Sequence, residues 1–251
     1  MFIPWLISKS ACWHYNGVMK LASFLLLLLV AVSAAAQAPA DINSEPHHQL
    51  LLQNGQARVY AITLRPLEQA YVRHEHNFLM VTLQNCQIVI WREGRSAIQN
   101  YQLKEGDVRF FNGGRALGLR NDRNNEFRSI LIEFLDPNIT TYDYQQDSGN
   151  WDYGDSVLRP PVDPDAKYSI SIQFGAATAI SVQLLPGDSL PPPEKEAVEL
   201  FIPVTDIDLK AGAGNRIRKA PGEAVWVAPG RKAKYINTDS EAARFVIVEF
   251  R

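Results

Sequence analysis

Short apolar or alternating runs, separated by Gly, Pro, Asn and Asp, recur along this chain from Ala57 to its end. The first half carries such runs at Ala57–Leu64, 78–83, 87–91, Val108–Phe111 and 128–134; the second at 169–174, 180–185, 197–202, 206–209, 224–227 and Ala243–Phe250. Val, Ile, Phe and Tyr dominate them and none sustains a 3.6-residue period, which predicts strands throughout and little helix. Between the halves, residues 137–167 are rich in Asp, Asn, Gly, Pro and Tyr and read as a linker. Two runs are near copies: RSILIEF at 128–134 returns as RFVIVEF at 244–250, an offset of 116 residues. The same offset joins Gly106, Gly114 and Asn121 to Gly222, Gly230 and Asn237, so turn residues repeat along with apolar ones.

A third pattern precedes the strands. Residues 21–32 are almost wholly apolar, follow Lys20 and lead into Ser33-Ala-Ala-Ala36-Gln37, the order of a secretory signal with a small-residue cleavage site. The expectation is a signal peptide over 1–36, with Met19 as an alternative true start, then one β domain over 37–136, the linker over 137–167 and a second β domain over 168–251. Export to the bacterial periplasm or the extracellular space follows, with no stable membrane span after cleavage.

Removing residues 1–36 takes away Lys9 and Lys20 and no acid, moving the formal charge from −2 to −4. That mild acidity argues against nucleic acid as a partner. Cys12 leaves with the leader, so Cys86 stays alone and no internal disulfide can form. Cys86 reads as a small buried residue rather than a nucleophile.

The repeated glycines carry a family resemblance. Gly106, Gly114 and Asn121, and again Gly222, Gly230 and Asn237, stand at the spacing of the second cupin motif; its His is replaced by Leu117 and Ala233, and its Pro by Asn112 and Ala228. Upstream, His74-Glu75-His76 resembles the H-x-H of the first cupin motif, whose Glu would fall at Met80 or Val81. In the second half the corresponding register runs from Gly187 through Pro193-Glu194-Lys195 to Glu199, keeping the Glu and losing both His. The resemblance implies two tandem cupin-type jelly-roll barrels, a degenerate bicupin.

A typical cupin holds one divalent transition metal with three imidazoles and a carboxylate. On a strand, residues i and i+2 share a face, so His74 and His76 can point into the first barrel and form half of such a site. The expected reading is a non-catalytic module without a cofactor, binding a small polar ligand or a partner surface, with His74, His76 and Glu199 as ligand-binding residues. The alternative is a metal-dependent oxygenase or isomerase with His74 and His76 as metal ligands. A second alternative is a structural or assembly protein, a homo-oligomer through sheet packing. Glu199 could act as a general base or grip a sugar hydroxyl.

Weaker candidates complete the reading. Adjacent residues on an extended segment face opposite ways, so His47-His48 reads as a solvated N-terminal arm. Tyr142, Tyr144, Trp151 and Tyr153 read as fasteners of the linker, and the basic set Arg216, Arg218, Lys219, Arg231, Lys232 and Lys234 as a solvated hairpin face. Glu133 and Glu249 look structural, with equivalent partners.

Overall fold

The computed structural model describes residues 38–94, 98–140, 156–158, 166–192, 197–212, 215–227 and 234–251. The signal segment, the linker aromatics, Glu194, Lys195, Gly230, Arg231, Lys232 and Ala233 lie outside the described residues. Residues Pro39–Arg251 form one compact unit. Among the described residues every regular element is a strand, and no helix is long and apolar enough to cross a membrane.

In chain order the first half has β1 (Ala40–Asp41), β2 (His48–Gln53), β3 (Ala57–Leu64), β4 (Gln69–His74), β5 (Phe78–Thr82), β6 (Cys86–Arg92), β7 (Gln99–Leu103), β8 (Val108–Phe111), β9 (Arg115–Arg120) and β10 (Phe127–Phe134). The rest follow as β11 (Ser156–Leu158), β12 (Tyr168–Phe174), β13 (Ala177–Leu184), β14 (Ser189–Leu190), β15 (Val198–Pro203), β16 (Ile207–Ala211), β17 (Asn215–Lys219), β18 (Val225–Val227), β19 (Tyr235–Asn237) and β20 (Ala243–Phe250). They build four sheets: sheet I, β1-β4-β9-β6-β7; sheet II, β11-β8-β5-β10-β3-β2; sheet III, β12-β13-β20-β15-β18; and sheet IV, β14-β19-β16-β17. All pairings are antiparallel except β1 with β4.

Side-chain alternation explains how the sheets stack. Along β10, Phe127 and Leu131 face a core shared with sheet I, where Val72, Ile88, Ile90 and Leu119 meet them. Ile130, Ile132 and Phe134 face the other way, into a core shared with sheet III that holds Ala179, Leu200, Val246, Val248 and Phe250. From β20, Phe245 and Ile247 turn instead toward Leu209 and Tyr235 of sheet IV. Sheets II and III are therefore covered on both faces, which is why their central strands are continuous apolar runs rather than alternating ones. Aromatic rings seal the middle core: Phe110 stacks on Phe174 at 5.0 Å, and Phe134 meets Phe250 edge-on at 6.0 Å. Arg244 reaches across to Glu105 at 2.7 Å.

The repeated turn residues do the same work twice. Gly106 and Gly222 both adopt positive φ, 84° and 83°, and their amides donate to the carbonyls of Thr82 and Pro203. Asn121 donates from Nδ2 to the Leu64 carbonyl at 3.0 Å and to the Asn125 carbonyl at 2.8 Å, while its Oδ1 accepts from the Arg123 amide at 3.0 Å. Asn237 repeats all three bonds with Leu184, Glu241 and Asp239 at 3.0, 2.8 and 3.0 Å. One pair of equivalent turns differs: the amide that donates to the Asn237 carbonyl belongs to Gly187, φ 82°, whereas the one that donates to the Asn121 carbonyl belongs to Leu67, φ 68°. A side chain in that region costs about 1–2 kcal/mol.

Candidate functional site

The inward side of β4 carries Ala70, Val72 and His74, each buried, because the strand alternates toward the core between sheets I and II. The His74 imidazole packs against the Phe78 ring at 4.1 Å between centroids, and Phe78 stacks on Phe111 at 4.9 Å. His74 is only 1% exposed and its Nδ1 has no hydrogen-bond partner. Burial, with help from His48 and Arg92, pushes its pKa down to about 3, so the ring is neutral at physiological pH.

A second imidazole faces it. The turn at 46–47, closed by the His48 amide donating to the Glu45 carbonyl, delivers the chain into β2, and the pairing of β2 with β3 sets His48 opposite Ile62 on the core side. Its ring centroid lies 6.2 Å from that of His74. His48 Nδ1 lies 2.6 Å from Glu45 Oε2, and His47 Nδ1 lies 2.6 Å from Glu45 Oε1. Burial alone would raise the Glu45 carboxyl, but the hydrogen bonds from His48 and His47 outweigh it and hold it below the usual range. A carboxylate only accepts, so His48 must donate from Nδ1; in the neutral ring Nε2 then keeps its lone pair. That Nε2 is buried and unpartnered, like His74 Nδ1. His48 is thus no part of a solvated arm, and strand pairing with β3 is the reason.

His76 lies just past the strand. β4 ends at His74 and β5 begins at Phe78, so His76 lies in the connection, half-buried, beyond the reach of strand alternation. Its amide donates to Glu133, whose carboxyl is raised by burial against the opposing pull of His76 and Arg58. This connection is clamped: the Gly113 amide donates to Asn77 Oδ1 at 2.8 Å, and Asn77 Nδ2 donates to the Ile139 carbonyl at 2.9 Å. A Cβ on Gly113 would overlap the His76 carbonyl group, which explains the glycine.

The residues present do not fit the metal shell of a typical cupin. Met80 and Leu117, at two positions where ligands would stand, are buried among the apolar side chains between sheets I and II. Among the described residues no group of three or more His, Cys, Asp or Glu is placed to hold a metal ion.

In the second half, Glu199 and Tyr235 meet inside the core between sheets III and IV, with Tyr235 Oη donating to Glu199 Oε2 at 2.6 Å. Across the strands Glu199 stands opposite Glu249, whereas Glu133 stands opposite Phe78 and Arg58. The two repeated glutamates therefore have unlike partners. Burial raises the Glu199 carboxyl, Tyr235 lowers it and Glu249 raises it further, with a net upward shift. A carboxyl raised on folding stabilises most below its unfolded value and loses that contribution as pH climbs through the folded value. Glu199→Gln keeps an acceptor for Tyr235 without the charge. Urea midpoints measured from pH 4 to pH 8 should show the variant gaining on the parent as pH rises; a gap independent of pH would refute the assignment.

The remaining candidates are structural. Burial and Asp107 push the Cys86 thiol up to about 12, unsuited to nucleophilic chemistry. Arg216 and Arg218 both clasp Asp208, at 2.5 and 2.6 Å, on the outer face of sheet IV.

No family model matches this chain, and no curated protein does. Solved structures do resemble it. AerE from Microcystis aeruginosa superposes with a TM-score of 0.57 at 10% identity, covering 82% of this chain and 98% of its own. A cupin 2 conserved barrel domain protein from Leptotrichia buccalis gives 0.52 at 11%, covering 86% and 92%. A salicylate 1,2-dioxygenase from Pseudaminobacter salicylatoxidans gives 0.54 at 13%, covering 91% and 82%. At such identities the likeness establishes architecture alone, and together with the four stacked sheets and the twice-used turns it identifies this chain's fold as that of the cupins.

Proposed function

We propose that the chain is an exported, non-catalytic module of two tandem cupin barrels that binds a small polar ligand inside its N-terminal half. The observation that carries this reading is the pair of buried, unpartnered ring nitrogens, His48 Nε2 and His74 Nδ1. A buried polar atom without a partner costs about 1–3 kcal/mol, and a hydroxyl held between the two rings would recover part of that cost. His76 in the β4–β5 connection lies against Glu133 of β10, and Glu199 with Tyr235 forms a polar group inside the second barrel.

One feature favours the metal-dependent alternative: a carboxylate on one ring nitrogen that leaves the other free, as Glu45 does for His48, is the arrangement that orients many metal-ligating histidines. Two measurements separate the readings. Elemental analysis of the gently purified exported form should find iron, manganese, zinc and nickel well below one equivalent. Thermal-shift screening against small polyols and hydroxy acids should find a compound that raises the melting temperature, with the shift lost in His48→Ala/His74→Ala. Stoichiometric metal that disappears in the double variant would replace the binding module by the enzyme.

A further inference from the structure

The outer face of sheet I carries a second constellation, independent of the interior. Alternation along β4 and β7 turns Gln69, Tyr71 and Arg73, and Asn100 and Gln102, toward solvent. The strand register then sets Tyr71 of β4 and Trp91 of β6 on either side of Gly118 of β9. Gly118 leaves a recess that the indole fills: a Cβ there would overlap the Trp91 ring at Cε2. The Tyr71 and Trp91 rings stack at 6.0 Å between centroids and 26° between planes, both half-buried.

A surface cavity of about 560 Å³ opens on the same sheet, lined by Gln87, Val89, Asn100, Gln102, Asp122 and Arg123. That volume lies within the range of about 300–1,000 Å³ usual for small-molecule sites. Two guanidinium groups on this face are already engaged, Arg73 by Glu93 at 2.5 Å and Arg120 by Asp122 at 2.7 and 2.9 Å. What the face offers is flat aromatic surface beside amides that both donate and accept. A neutral pyranose has the complementary chemistry: an apolar C–H face that lies on an aromatic ring, and a rim of hydroxyls that each donate and accept.

We propose that the outer face of sheet I binds a neutral oligosaccharide, with one sugar resting on Tyr71 and Trp91 and the next reaching the amides of Gln87, Asn100 and Gln102. The test is calorimetric titration of the full exported chain with maltohexaose, cellohexaose, chitohexaose and mannohexaose, followed in parallel by tryptophan fluorescence. At least one should bind saturably and change the emission. Tyr71→Ala and Gln102→Ala, both at the surface, should each weaken binding by about tenfold or more, and Gly118→Ala, which displaces the indole, should do the same. His74→Ala should leave the affinity unchanged, which separates this site from the interior one. Four silent titrations, binding that survives Tyr71→Ala and Trp91→Ala, binding lost in His74→Ala, or capture of decaproline in place of every sugar would each overturn the proposal.

Discussion

Phe134→Ala is expected to lower the stability of the whole folded unit by about 3–5 kcal/mol, the usual cost of emptying a buried aromatic site. Phe134 is fully buried in the core between sheets II and III, with Phe110 on one side and Phe250 on the other. Neither ring can follow the lost side chain without leaving its own partners, Phe174 and Trp226. For a chain of this size the melting temperature should fall by about 10 °C. Calorimetry should show one transition before and after the substitution, because both halves own the damaged core. Two separate transitions, with only the N-terminal one displaced, would contradict a shared middle layer.

Asn121→Ala and Asn237→Ala should each cost about 2–4 kcal/mol, because each removes three hydrogen bonds and strips the carbonyl of Leu64 or Leu184 of its side-chain donor. Both side chains are 1% exposed, so water does not readily replace the lost amide. Asn121→Asp and Asn237→Asp form the informative controls: each keeps the Oδ1 acceptor for the Arg123 or Asp239 amide and loses the Nδ2 donor. Urea unfolding should place the aspartate variants no higher than midway between parent and alanine. A neutral result at one position and a large one at the other would show that the two turns are not equivalent supports.

The strands that can be read from sequence are those buried on both faces. RSILIEF and RFVIVEF lie in the middle of sheets II and III, and both sides of the strand demand apolar residues. The outer sheets are far less legible. In β7, QNYQL, and β17, NRIRK, one face is wet and few apolar positions remain, so their alternation hardly rises above that of a loop. At the site, His74 is recognisable from His74-Glu75-His76, and His76 falls just past the end of the strand, in the connection beside Glu133. His48 and Glu45 escape a local reading for a different reason: the burial of His48 depends on non-local pairing with β3. The run Leu50-Leu51-Leu52 just after it is the signal that marks a strand there.

The apolar wall between sheets II and III bears on how such a chain could arise. A lone copy of the repeated unit would present Ile130, Ile132 and Phe134, or Val246, Val248 and Phe250, bare to water. In this chain each of these faces is covered by the other. Joining two copies in one polypeptide makes that contact intramolecular, so the covering face is always at hand whatever the concentration. The interior chemistries differ on the far sides of that wall: His48 and His74 face each other between sheets I and II, and Glu199 meets Tyr235 between sheets III and IV.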